Sequence, residues 1–116
     1  MMTPLEEKLD RLYPKLAKGR RCVCCFSGLT EMHHIIGRRS HLLRWDIKNL
    51  VPLCRECHIK AHTKGIKYLK LFLPKARFDY LEKMKNKDFK QYLIEQGLTR
   101  EEFYKLKEKQ LNEVIK

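Results

Sequence analysis

Four of the five cysteines stand as two C-x2-C pairs, Cys22/Cys25 and Cys54/Cys57. Two thiolates at that spacing fit one tight turn, and two such turns supply the tetrahedral sulfur set that zinc prefers. A chain built on this pairing must close the 28 residues between Cys25 and Cys54 into a loop. That length leaves room for a strand and a working loop between the knuckles. An unfolded chain holds no preformed ligand cage, so the binding free energy of such a site becomes folding free energy. Cys24 lies off the spacing and reads as a spare thiol in a small buried or half-exposed position. A pair of redox dithiols is the competing reading. It leaves the histidine-rich, basic loop between the pairs unexplained.

The rest of the composition narrows the partner rather than the fold. The chain has 116 residues, enough for one domain and not for two independent cores. Lys and Arg number 26 against 14 Asp and Glu, a formal net charge of +12, which favours polyanions such as nucleic acid or an anionic membrane. No apolar run approaches the roughly 18 residues of a membrane span. The N-terminal stretch MMTPLEEKLDRL is polar and acidic, so a secretory signal is not expected. Cysteines at ligand spacing without such a signal point to reduced thiols and a cytoplasmic location.

Three segments are expected to form one compact domain. In residues 1–19, Thr3, Pro4 and Glu6 open a helix with the stripe Leu5, Leu9, Leu12; Pro14 limits it, and a basic connector runs from Lys15 to Arg21. In residues 20–65, the first knuckle leads to a short strand over Leu29–Ile36. A loop over Arg38–Lys48 follows, anchored by Leu42, Leu43 and Trp45. A second strand, Asn49–Leu53, leads to the other knuckle and a helix over Arg55–His62. Residues 66–116 read as helices with apolar faces at Tyr68/Leu69/Phe72/Leu73, Phe78/Leu81/Met84, Phe89/Tyr92/Leu93 and Phe103/Leu106/Leu111/Val114. Within this tail, residues 64–90 carry nine Lys and Arg against three Asp and Glu, whereas residues 91–116 balance five against five. The last helix therefore suits packing or oligomerisation better than nucleic-acid contact.

All five histidines fall within the stretch from Cys22 to His62 that also holds the cysteines. A four-cysteine zinc site needs none of them. His33 and His34 are adjacent, so on a strand they point to opposite sides. His58 and His62 stand at i, i+4 and share a helix face, able to hold one divalent cation or one phosphate.

The strings E-M-H-H-I-I-G and N-L-V-P-L-C-R-E-C-H-I-K-A-H resemble the cysteine-containing branch of the HNH endonuclease family, over about Cys22 to His62. The resemblance implies an α+β protein with a small ββα-metal (His-Me finger) core: two short strands, a long loop and a helix supplying a metal ligand. By that likeness His34 takes the place of the general base that activates water against a DNA phosphodiester. Asn49 takes that of the residue bracing the loop. His33 and His58 fall at metal-ligand positions. His62 is a ligand in one branch of the family; otherwise it is a phosphate contact or a surface residue. The implied cofactors are a structural Zn2+ on Cys22, Cys25, Cys54 and Cys57 and one catalytic divalent cation, Mg2+, Mn2+, Ni2+ or Zn2+. His33 departs from the Asp commoner at its position. A less negative site favours softer ions.

Arg38, Arg39, Arg44 and Lys48 lie between base and Asn, where they would grip the DNA backbone; phosphate contacts position without specifying sequence, so weak sequence preference is expected. Arg20, Arg21, Arg55 and Lys60 would extend that surface, and His41 is a loop residue. Small HNH proteins with a helical tail look like those of bacteriophages and prophages, which implies a bacterial host cytoplasm. The tail would then serve a homodimer or a phage protein partner. Two other readings stand beside the enzyme: a non-catalytic zinc-stapled nucleic-acid-binding module, and an accessory subunit of a phage nuclease or packaging complex. The pair His33-His34 together with Asn49 separates them, because a bare zinc module has no use for it.

Overall fold

The computed structural model describes residues 2–115; Met1 and Lys116, the outermost positions of the expected first and last segments, lie outside the described residues. Helix α1 spans Pro4–Leu12. Thr3 caps it reciprocally: its hydroxyl accepts from the Glu6 N–H at 3.2 Å, and the Glu6 carboxylate accepts from the Thr3 N–H at 3.1 Å. Pro14 stops the α-helix as expected, but the connector is not bare loop. Tyr13–Ala17 tightens into a 3-10 turn that buries Leu16.

The knuckle from Cys22 folds on two backbone bonds, Cys22 N–H to Ser27 and Phe26 N–H to Cys22, both 2.9 Å. Strand β1, Glu31–His34, then pairs antiparallel with β2, Leu50–Leu53, in the register Glu31↔Leu53 and His34↔Leu50. The expected strand was longer. Leu29 is 87 % exposed and unpaired, so alternation of residue types overran the stretch that finds ladder partners. Between the strands, Leu42, Leu43 and Trp45 are buried as expected and anchor the loop in the core. Asn49 ends a 3-10 turn over Ile47–Asn49 instead of opening the second strand.

Helix α2, Arg55–Lys64, starts on the second knuckle, where the Cys54 sulfur accepts from the Cys57 N–H. It stops at Gly65, whose φ of 74° suits a residue without a Cβ. The tail forms α3 (Ile66–Leu69), α4 (Lys75–Lys85), α5 (Phe89–Gln96) and α6 (Arg100–Ile115). In α6 the buried stripe is Phe103, Tyr104 and Leu111, which leaves Leu106 off its edge and 43 % exposed. Tyr104 takes the place expected for Leu106, its ring edge-on to Trp45 at 5.3 Å. Lys8 of α1 pairs with Glu108 of α6 at 2.5 Å. Arg20 joins the same seam, donating to the Leu16 and Val114 carbonyls at 2.7 and 2.9 Å, so its guanidinium is spent inside the fold.

The architecture is thus α+β: among the described residues, six α-helices surround a two-stranded antiparallel sheet, with the β-β-α unit at the cysteine cluster. The tail braces that unit. Arg77 of α4 donates to the carbonyls of Lys48 and Leu50, both at 2.7 Å. Tyr80 of α4 donates to Asp46, which also caps the turn over Ile47–Asn49 by accepting from the Lys48 N–H. Among the described residues no helix is long and apolar enough to cross a membrane.

Candidate active site

Strand parity divides the residues of β1 between two jobs. Glu31 and His33 face α2, and His34 points the other way. Against α2, the His33 ring meets His58 at 4.9 Å and His62 at 5.0 Å between centroids, and His58 stacks on His62 at 4.8 Å. One ring nitrogen from each lies within 4.8 Å of the others. The two Nε2 atoms of His58 and His62 are 3.1 Å apart. First-row ions bind imidazole at about 2.0–2.1 Å, so nitrogens gathered this closely suit a shared cation. Burial, with the nearby His58, His62 and His34, pushes the His33 pKa down to about 4. It is therefore a neutral ring with a lone pair at any physiological pH.

His34 looks into the loop. Its Nε2 lies 2.8 Å from the Arg44 carbonyl, which can only accept, so Nε2 carries the hydrogen and Nδ1 keeps its lone pair. The Tyr13 ring stands edge-on at 4.8 Å and confines the imidazole. Burial lowers the His34 pKa, against the raising pull of that carbonyl, and so favours the neutral ring. The loop that presents this carbonyl is held from two directions. Asn49, with 0 % exposure, accepts from the Ile36 N–H at 2.7 Å and donates to the Ile36 and Leu43 carbonyls at 3.0 Å each. Asp10 accepts from the Arg44 guanidinium at 3.1 and 2.5 Å and from the Trp45 indole at 2.8 Å. Burial raises the Asp10 pKa, but the bonds from Arg44 and Trp45 outweigh it and leave the carboxyl below its usual range.

The histidines, with Tyr13 and Arg44, face a cleft of about 1360 Å³. The four histidines 33, 34, 58 and 62 line it together with Arg38, Arg39, Arg44 and Lys85, and no carboxylate is among the lining residues described. His41 forms part of the wall, stacked on Phe89 at 5.4 Å. Of the four cations expected near a backbone, the cleft gathers Arg38, Arg39 and Arg44, though Arg44 is largely committed to Asp10. Lys48 lies elsewhere, over the Tyr80 ring at 4.4 Å in a separate shallow hollow with Arg77. Asp10, Tyr13, Glu31, Lys85 and Asn86 belong to this neighbourhood and were not singled out in the sequence. Only Glu31 carried a signal: it is two residues before His33 on the same strand.

The four cysteines form the second gathering. The sulfurs of Cys22, Cys25, Cys54 and Cys57 lie within 4.8 Å of one another, Cys25 and Cys54 at 3.5 Å. Tetrahedral zinc at about 2.3 Å from each sulfur sets neighbouring sulfurs about 3.8 Å apart. The cluster can hold a structural zinc. Burial opposes ionisation of Cys22, but the N–H groups of Cys54, Cys25 and Cys24 outweigh it and bring its pKa to about 6. Cys57 and Cys24 go the other way, both raised chiefly by burial. Cys24 stays outside the cluster.

Residues 20–64 match the HNH endonuclease family model. The matched stretch contains both clusters, Asn49 and the Arg-bearing loop, and it leaves α1 and the helical tail outside. The HNH match indicates nuclease-type function with metal binding and implies DNA as substrate. No curated protein and no solved structure matches the chain.

Proposed function

We propose that this HNH-matched chain is a metal-dependent DNA endonuclease in which His34 is the general base. The observation that carries the reading is the commitment of His34 Nε2 to the Arg44 carbonyl, which leaves Nδ1 as a bare acceptor in a cationic cleft beside three clustered imidazoles. Nδ1 takes the proton of a water attacking a backbone phosphorus, a transfer whose efficiency depends on a fixed ring and a neutral starting state. Asn49 acts at one remove, by keeping the loop that presents the carbonyl. Arg38 and Arg39 hold the phosphates on either side of the reacting one, and Lys85 adds a contact from the tail. His33, His58 and His62 would hold the divalent cation, which when bound supplies Lewis-acid stabilisation of the phosphate and the departing 3′ oxygen. Three neutral ligands favour Mn2+, Ni2+ or Zn2+ over Mg2+.

Backbone contacts dominate this arrangement, so weak sequence preference follows. A homodimer or a protein partner bound through the tail would find Ile94 and Leu106 exposed there. The reading is completed by a reduced, cytoplasmic setting for five cysteines outside any disulfide and a bacteriophage or prophage context. The test is incubation with supercoiled plasmid across Mg2+, Mn2+, Ni2+ and Zn2+, with His34→Ala alongside. Nicking by the parent and not by His34→Ala is expected. Binding without nicking under every ion would instead favour a non-catalytic zinc-stapled module.

A further inference from the structure

Glu31 is the residue whose placement the HNH reading leaves unused. It precedes His33 by two positions on β1, so both side chains face α2, and its register partner Leu53 adjoins the knuckle that starts that helix. Its Oε1 lies 2.5 Å from His58 Nδ1. An ionised carboxylate only accepts, so Nδ1 of His58 must carry the hydrogen and Nε2 must keep its lone pair. That Nε2 is the atom facing His62, 3.1 Å away. Glu31 does not itself join the donor atoms that cluster with His33. Its effect is exerted through the ring it fixes.

We infer that Glu31 is a positioning residue for the proposed metal site, setting the tautomer and orientation of His58 and lending negative charge to an otherwise neutral set of ligands. The inference rests on the metal-dependent reading above. Carboxylates bonded to a ligating imidazole raise its basicity, and their loss typically weakens metal binding about 10–100-fold. Glu31→Ala is expected to lose about that much affinity. Glu31→Gln, which keeps an acceptor without the charge, should fall between Ala and the parent. Glu31 has a side chain 55 % exposed, so neither change should disturb the fold.

The experiment is calorimetric titration of Ni2+ into protein already loaded with one zinc, for the parent, both Glu31 variants and His58→Ala. In parallel, imidazole nitrogen spectra read the tautomer of His58, which should be uniformly Nδ1–H in the parent and mixed in Glu31→Ala. Parent binding lost in His58→Ala and weakened in Glu31→Ala supports the inference. Equal affinity in parent and Glu31→Ala, or an unchanged tautomer, overturns it while leaving the nuclease reading intact. A parent that binds no second ion removes the metal-dependent reading itself, and the inference with it. Should Glu31→Ala fail to fold, the ranking of Glu31→Gln against the parent decides the same question.

Discussion

The two clusters share helix α2 and differ in nearly everything else. Cys54 and Cys57 sit at its first turn and His58 and His62 on the turns that follow, so one helix delivers ligands to both. The cysteine set is largely enclosed, with Cys22, Cys54 and Cys57 buried and Cys25 exposed. The histidine set opens on the cleft, with His33 buried, His58 half-buried and His62 exposed. A closed site is saturated by its own protein ligands. An open one leaves room for something that is not protein, and that difference is what separates structural from catalytic ion sites. Here the closed cluster joins the ends of the long loop and fixes where α2 begins, so the open cluster inherits its geometry.

The largest break in this contrast comes from the closed side. Cys54→Ser removes a thiolate and alters the cap of α2 at once. Structural zinc contributes an apparent binding free energy of about 10–16 kcal/mol in small zinc domains, more than a chain of this size has to spare. The variant should lose both zinc and its cooperative melt, measured by metal content and circular dichroism. A folded, zinc-free Cys54→Ser protein would mean that the hydrophobic core alone holds the loop closed.

On the open side the effect should be large on rate and small on stability. His34→Ala should lower plasmid nicking by about 10²–10⁴-fold, the usual reach of general-base catalysis, with zinc content and DNA affinity retained. Nicking at the parental rate would remove His34 from the chemistry. Asn49→Ala links the two behaviours. It strands the Ile36 N–H and the carbonyls of Ile36 and Leu43 inside the loop. At about 1 kcal/mol or more for each unpaired buried group, a loss near 3 kcal/mol is expected in urea titration. Nicking should fall further than the folded fraction does, because the Arg44 carbonyl loses its support. Activity that tracked stability alone would reduce Asn49 to a packing residue.

Both clusters were legible in the sequence because each is written in short-range spacing. C-x2-C and H-x3-H place pairs of ligands on one turn or one face, and strand parity sends His33 and His34 to opposite sides. What escaped notice is written at long range. Asp10 reaches Arg44 and Trp45 across more than thirty residues. In the sequence it is one acidic residue in an amphipathic helix, indistinguishable from a solvated charge. Tyr13 and Lys85 likewise sit in ordinary helical segments and come to the cleft only through tertiary packing. Element ends were blurred for a related reason. Alternation extends past the four paired residues of β1, and a three-residue spacing drew Leu106 into a stripe that packing against α1 assigns to Tyr104.

The smallest predicted effect discriminates among the cations of the loop. If about six phosphates are neutralised, affinity should fall with salt at a log–log slope of about −5. Arg39 is exposed on the cleft rim and not engaged in any ion pair among the described residues, whereas Lys48 lies over Tyr80 outside it. Arg39→Ala should therefore make the slope shallower by about 0.9, one phosphate's worth, and Lys48→Ala should leave it unchanged. Arg44→Ala is the intermediate case. Its guanidinium is held by Asp10, so its loss should slow nicking through His34 more than it flattens the salt response. Fluorescence anisotropy on a short duplex across a salt series measures all three. Equal slopes for Arg39→Ala and Lys48→Ala would mean that the bound DNA extends beyond the histidine cleft, onto the face shared by Lys48 and Arg77.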